Sequence, residues 1–259
     1  MKPGRQIKVS SDIIREVMEM GLGPIAESII DSIIGSGSVK KSKPKGMAQY
    51  KRDLFAALGV VSSDALDHVR VGFPNGKKIK FMENEHRLLL GEFEELPFKQ
   101  QKLIKAQADL IIATQVADLE KAAKLQYSSS VSSGKTVAEV RFDMRNKTDK
   151  FIEGNALAAG SKALVAETVN TVRNAFFATP EAMKEIVAFK FVNDDPKTDI
   201  CKDLNGTVYS VDDPDHFRYT PPLHFNCDSY ITPIYELKKG QKIKKIKPST
   251  SKLESSIQF

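Results

Sequence analysis

Apolar residues recur at helical spacing along most of the first 187 positions and alternate thereafter. In residues 11–34, Ile13, Val17, Met20, Ile25, Ile29 and Ile33 mark an amphipathic helix that Ser10 or Ser11 can cap. Gly21-Leu22-Gly23-Pro24 interrupts it. Pro24 lacks a backbone donor and suits a first helical turn, so the pattern predicts two helices here. Residues 47–59 predict a short helix. Val69 to Phe81 alternates around Asn75-Gly76, a hairpin turn signal that Pro74 directly precedes. From Glu83 to about Phe177 the spacing is helical again. One stripe holds Leu103, Ala106, Leu110, Ala113 and Ala117, widened by Ile104, Ile111 and Leu119. A second holds Val137, Val140, Met144, Thr148 and Phe151. A third holds Leu164, Thr168, Val172 and Ala175, with Val165, Val169 and Phe176 beside them. Thr179 as cap and Pro180 at the first helical position start one more short helix.

After Val187 the period falls to two: Ala188–Val192, Gly206–Tyr209 and Tyr230–Tyr235 read as short strands. The fold class is therefore α+β, a mainly helical body closed near its C-terminus by a small antiparallel sheet. Five segments are expected. Residues 1–34 form an N-terminal helical arm whose apolar face packs on the body or docks on a partner. Residues 35–46, rich in Gly, Ser and Lys, form a flexible basic linker. Residues 47–104 are a helical and hairpin segment, 105–235 the main domain, and 236–259 a lysine-rich tail.

Composition narrows the function classes. Hydrophobic residues make up 41% and charged residues 28% of 259 positions, ordinary for a globular protein. The sequence has no run of eighteen apolar residues, and acidic residues interrupt the apolar N-terminal stretch. Neither a membrane span nor a signal peptide is expected, and the reading is cytosolic synthesis. Two cysteines do not make a disulfide framework. The net charge of +6 is concentrated: residues 237–259 hold seven lysines and one glutamate, so the body is neutral. Lys238, Lys239, Lys242, Lys244, Lys245 and Lys247 are either a solvated extension or a contact for nucleic-acid phosphates, without interleaved aromatics for base stacking.

The candidate chemistry lies in the turn-rich C-terminal part. Cys201, His224 and Cys227 are a possible zinc ligand set, with His216 or Asp203, and also Asp195 or Asp228, as a fourth member. Two buried thiols and a histidine bonded to a turn carbonyl are the alternative. A Cys–His catalytic dyad is the third reading, and no oxyanion-hole motif accompanies it. Ser128 to Thr136 ends in Gly134-Lys135-Thr136 but has Ser129 where a phosphate loop needs glycine, and reads as an inter-helix loop. No serine-hydrolase elbow or dinucleotide fingerprint is present, and no enzyme is expected.

The order Asp195, Thr198, Cys201, Gly206, then Pro221, Pro222, His224, Asn226, Cys227 resembles the C-terminal signature of the phage Mu F-like head morphogenesis (minor head protein) family. Glu167, Thr168 and Asn170 resemble, more loosely, an upstream helix of that family. The resemblance covers roughly residues 105–235. Two positions depart from it: Leu204 stands where many members have a second cysteine, and Asp228 where many have arginine. The resemblance implies a minor capsid protein of a tailed phage, located in the virion near the portal vertex after assembly in the host cytoplasm. It implies action in head assembly and in handling or delivering packaged DNA. Its partners would be the portal protein or major capsid protein, through residues 11–34, and double-stranded DNA, through the tail lysines. An alternative is a phage-delivered enzyme or toxin-like effector carrying a Mu F-like domain.

Overall fold

The computed structural model describes residues 3–36, 44–74, 96–213, 216–221, 223–224, 227, 229–238, 240 and 242–243. The described elements are α1 (Pro3–Ser36), α2 (Met47–Gly72), α3 (Phe98–Ser132), α4 (Val137–Ile152), α5 (Asn155–Phe177), α6 (Pro180–Glu185), β1 (Ala188–Val192), α7 (Asp199–Leu204), β2 (Val208–Ser210), a 3₁₀ turn (His216–Tyr219) and β3 (Tyr230–Ile234). The α+β reading holds: long helices come first and a three-stranded antiparallel sheet follows near the C-terminus. The chain divides into two compact units. One comprises residues 10–58 and 105–164, the other residues 1–9, 59–104 and 165–259.

In the first unit α1 is one helix, not two, and it starts well before Ser10. Pro24 lies in its interior, where the lost hydrogen bond and ring clash cost ~3 kcal/mol. The buried stripe runs through the proline in phase: Ile14, Met18, Leu22, Ile25, Ile29, Ile30 and Ile33 are all at most 4% exposed. Each such side chain contributes ~1.5–3 kcal/mol on burial, so keeping one continuous face outweighs the cost of Pro24. The stripe is rotated from the expected one, and Ile13 and Met20 are exposed. Gly21 is a packing contact rather than a break, because the Tyr50 ring of α2 lies where its side chain would be. The buried Tyr50 hydroxyl donates to Gln115 Oε1 on α3 at 2.8 Å, and Gln115 Nε2 reaches Met18 Sδ at 3.5 Å. The face of α1 is thus buried, with Tyr50 and Gln115 packed against it. On the rim, Arg145 of α4 makes a two-pronged contact with Glu27 at 2.6 and 2.8 Å.

The α3 stripe is also rotated. Ile104, Ala108, Ile112, Leu119 and Ala123 are buried, whereas Leu103 and Leu110 are exposed. Helix α3 has apolar residues on two faces, and spacing alone did not say which one packs. Its end comes later than expected, because Ser130 is buried and bonded to Asp143 Oδ2 at 2.5 Å. The Gly-Lys-Thr sequence serves helix ends. Gly134, at φ +70°, donates to the Val131 carbonyl while Lys135 donates to that of Ser130, closing α3 in a Schellman turn. Thr136 then caps α4 in a capping box with Glu139.

In the second unit, the expected short helix at 47–59 continues to Gly72, so the hairpin reading is wrong for Val69–Gly72. Val61, Ala65, Leu66, Val69 and Phe73 form one buried helical stripe, and Val71, inward in a hairpin reading, is exposed. Residues 75–81 of that reading lie outside the described residues, as does most of the linker. Phe73 packs edge-on against Phe176 and Tyr235, both with ring centroids 5.2 Å away. Thr179 caps α6 and Pro180 opens it, as expected. The sheet order is β2-β1-β3, with Phe189 of β1 opposite Tyr209 on one side and Pro233 on the other. Among the described residues, no helix is long and apolar enough to cross a membrane.

Candidate metal centre

Three short connections bring the candidate ligands together. Beyond β1 the chain turns through Asp194–Lys197, and Thr198 caps α7, its hydroxyl accepting the backbone N–H of Cys201 at 3.4 Å. This places Cys201 in the first turn of α7, facing inward. Gly206, at φ +78°, takes the left-handed conformation that ends α7 and feeds β2. Its N–H donates to the Phe191 carbonyl at 2.9 Å, which fixes α7 inside the β1–β2 connection. The third piece carries His224 and Cys227 between Pro221 and Ser229, both of which are bonded to α5. Asn174 Nδ2 donates to the Pro221 carbonyl at 2.8 Å, Asn170 Nδ2 to that of Ser229 at 2.9 Å, and Arg173 Nη2 to that of Ile231 at 3.0 Å.

The result is a cluster. Cys201 Sγ lies 3.1 Å from His224 Nε2 and 4.0 Å from Cys227 Sγ, and all three donor atoms fall within 4.8 Å of one another. Two Zn–S bonds of ~2.3 Å at a tetrahedral angle put the sulfurs ~3.8 Å apart, close to what is seen. Both cysteines are 1% exposed and His224 is half-buried. Two thiolates, a neutral imidazole and a divalent cation would leave this buried site without net charge, which is how such a group escapes the desolvation penalty. The Cys–His–Cys group can therefore hold a metal ion.

The electrostatics of the cluster are asymmetric. The hydrogen bond from the Cys227 thiol pulls the Cys201 thiol down to about 6 against its own burial, aided by Ser229 and Thr198. Cys227 moves the opposite way, up, because it supplies that proton and because it is buried. Metal binding would release the thiol protons of both cysteines.

Of the other nominated ligands, the described ones, Asp203, His216 and Asp195, stand apart from the group. Asp203 is two residues beyond Cys201 on α7, hence on the opposite helix face, and is exposed. His216 has Nδ1 at 2.8 Å from the Asp213 carbonyl, and its ring stacks on Phe189 at 6.5 Å. Asp195 is exposed, with Lys197 3.9 Å away. Asp228, Pro222 and Asn226 lie outside the described residues, as do Lys239, Lys244, Lys245 and Lys247; Lys238 and Lys242 are exposed. Leu204, where the family pattern has cysteine, is buried. The dyad reading finds its two atoms in contact, but a sulfur on a 1% exposed residue offers no approach to a substrate.

The chain matches no family model, no curated protein and no solved structure with which it was compared. Sequence reasoning missed Asn193, Ser229, Arg173 and Asn174 as parts of the site's support. The available signal was Asn170, Arg173 and Asn174, polar residues at helical spacing on a helix whose other positions are largely apolar.

Proposed function

We propose that this chain is a minor head protein of a tailed bacteriophage, associated with the portal vertex and acting in head assembly and in handling or delivery of packaged DNA. The observation that carries the reading is the ordered motif Asp195, Thr198, Cys201, Gly206, Pro221, His224, Cys227. Four of its members come together: Thr198 and Cys201 each reach His224, and Cys201 reaches Cys227. Within it, Cys201, His224 and Cys227 hold a structural zinc ion that ties α7 to the segment before β3, where the sheet alone is small. Zinc supplies cross-linking here, and the burial of both sulfurs argues against a reaction at them.

The lysine tail is the proposed DNA contact, acting on phosphates and therefore sensitive to salt. Docking on portal or capsid protein falls to surfaces other than the buried stripe of α1, which is already covered. The test is to purify virions from the producing host and assay them for the chain. It is expected in few copies per particle, retaining DNA in low salt, with a version ending at Tyr235 losing that retention. A chain absent from virions overturns the reading, and salt-independent retention overturns the role of the tail.

A further inference from the structure

The hydrogen bonds behind Cys201 have a direction that the residue types fix. The backbone N–H of Asp195 can only donate, and it donates to Asn193 Oδ1 at 2.9 Å. That contact orients the Asn193 amide, so its NH₂ end faces Ser229 and donates to Ser229 Oγ at 2.7 Å. With that lone pair used, the one proton of the Ser229 hydroxyl is free to point onward, and Cys201 Sγ lies 3.2 Å away. Amide, hydroxyl and sulfur therefore form a one-way relay that ends on a sulfur required to accept.

Each member is itself held. Asn205 clamps the Asn193 backbone from both sides, its Oδ1 accepting the N–H and its Nδ2 donating to the carbonyl, each at 2.9 Å. Asn170 Nδ2 donates to the Ser229 carbonyl. Ser229 is fully buried and Asn193 is 6% exposed, so water does not compete for these bonds. A buried asparagine–serine pair aimed at a sulfur is a costly arrangement for packing alone, where two apolar side chains would serve.

We propose that Ser229, oriented by Asn193, is the positioning residue of the metal centre, holding Cys201 Sγ as a hydrogen-bond acceptor so that it is preset as a ligand. The inference rests on the metal reading of Cys201, His224 and Cys227. It predicts that the hydroxyl matters to metal affinity and to the electronic state of the bound sulfur, not just to folding. Outer-shell partners of this kind typically account for 10–100-fold in affinity.

The experiment is a cobalt(II) titration of the full chain, freed of metal under reducing conditions, followed by sulfur-to-cobalt charge-transfer absorption. Wild type is expected to take up one cobalt per chain. Ser229→Ala is expected to bind 10–100-fold more weakly, with the charge-transfer band moved to longer wavelength because the sulfur has lost its hydrogen bond. Asn193→Ala leaves the hydroxyl in place but unoriented, and is expected to weaken binding in the same direction. It also serves as the test if Ser229→Ala does not fold by circular dichroism. Variants that bind as wild type does, with an unmoved band, overturn the positioning role and leave the metal centre standing. A wild-type chain that takes up no cobalt overturns the metal centre itself and the relay with it.

Discussion

The Asn170 side chain on α5 donates to the main-chain carbonyl of Ser229, 59 residues later and just ahead of β3. Asn170 is 1% exposed, so this bond has no solvent substitute. Asn170→Ala leaves a buried carbonyl unpaired, and the expected cost is ~1–3 kcal/mol of stability. A urea titration reads it as a lower midpoint with unchanged slope.

Metal content separates the ligands from the rejected candidates. The purified chain is expected to carry one zinc, and a strong chelator is expected to lower its melting temperature. Cys227→Ser should abolish zinc retention in elemental analysis, whereas Asp203→Ala and His216→Ala should preserve it. Zinc lost from the His216 variant would place that residue in the site after all.

Gly21 tests the continuity of α1. A β-carbon there would lie 2.2 Å from the Tyr50 ring, so Gly21→Val must displace either the ring or the helix. Overpacking of this kind costs ~1–3 kcal/mol, and thermal denaturation should show it. A neutral result would mean that α1 and α2 are not in contact at this point.

Burial raises the Glu167 carboxyl from an ordinary 4.5 to about 7. Between those values the folded chain keeps a proton that the unfolded chain has released. The native state is therefore favoured at low pH, and this contribution is lost as pH rises through about 7. Full burial would make that shift worth ~3 kcal/mol; Glu167 retains solvent contact, which reduces it to ~1–2 kcal/mol. Glu167→Gln should thus raise stability at pH 8 and leave it nearly unchanged at pH 4. Equal stabilisation at both values would refute the assignment.

Local signals in the sequence were read well where one interaction decided the outcome. Thr179-Pro180 started α6, and alternation located β1 and β3 within a residue. Cys201, His224 and Cys227 were grouped by residue type and found together. Readings failed where a distant partner decided. Pro24 did not break α1 because the buried stripe on both sides of it stays in phase and Tyr50 packs on Gly21. Val69–Gly72 fit both periods, and burial of Ala65, Leu66 and Val69 with Val71 left exposed selected the helix. Ser130 looked like part of a loop until Asp143 supplied its partner. The relay through Asn193 and Ser229 has no spacing signature, since the two are 36 residues apart.

The strand order gives the cluster a further consequence. β1 lies between β2 and β3, so the chain leaves one edge of the sheet and returns at the other. Cys201 precedes β2 and Cys227 precedes β3, 26 residues apart. An ion shared between them closes that excursion into a ring, and a cross-link of such length removes ~3–4 kcal/mol of chain freedom from the unfolded state. With the ring closed, neither edge strand can peel away alone. Amide protons of β2 and β3 should then exchange with solvent together, at one common rate, and separately once the ion has been withdrawn.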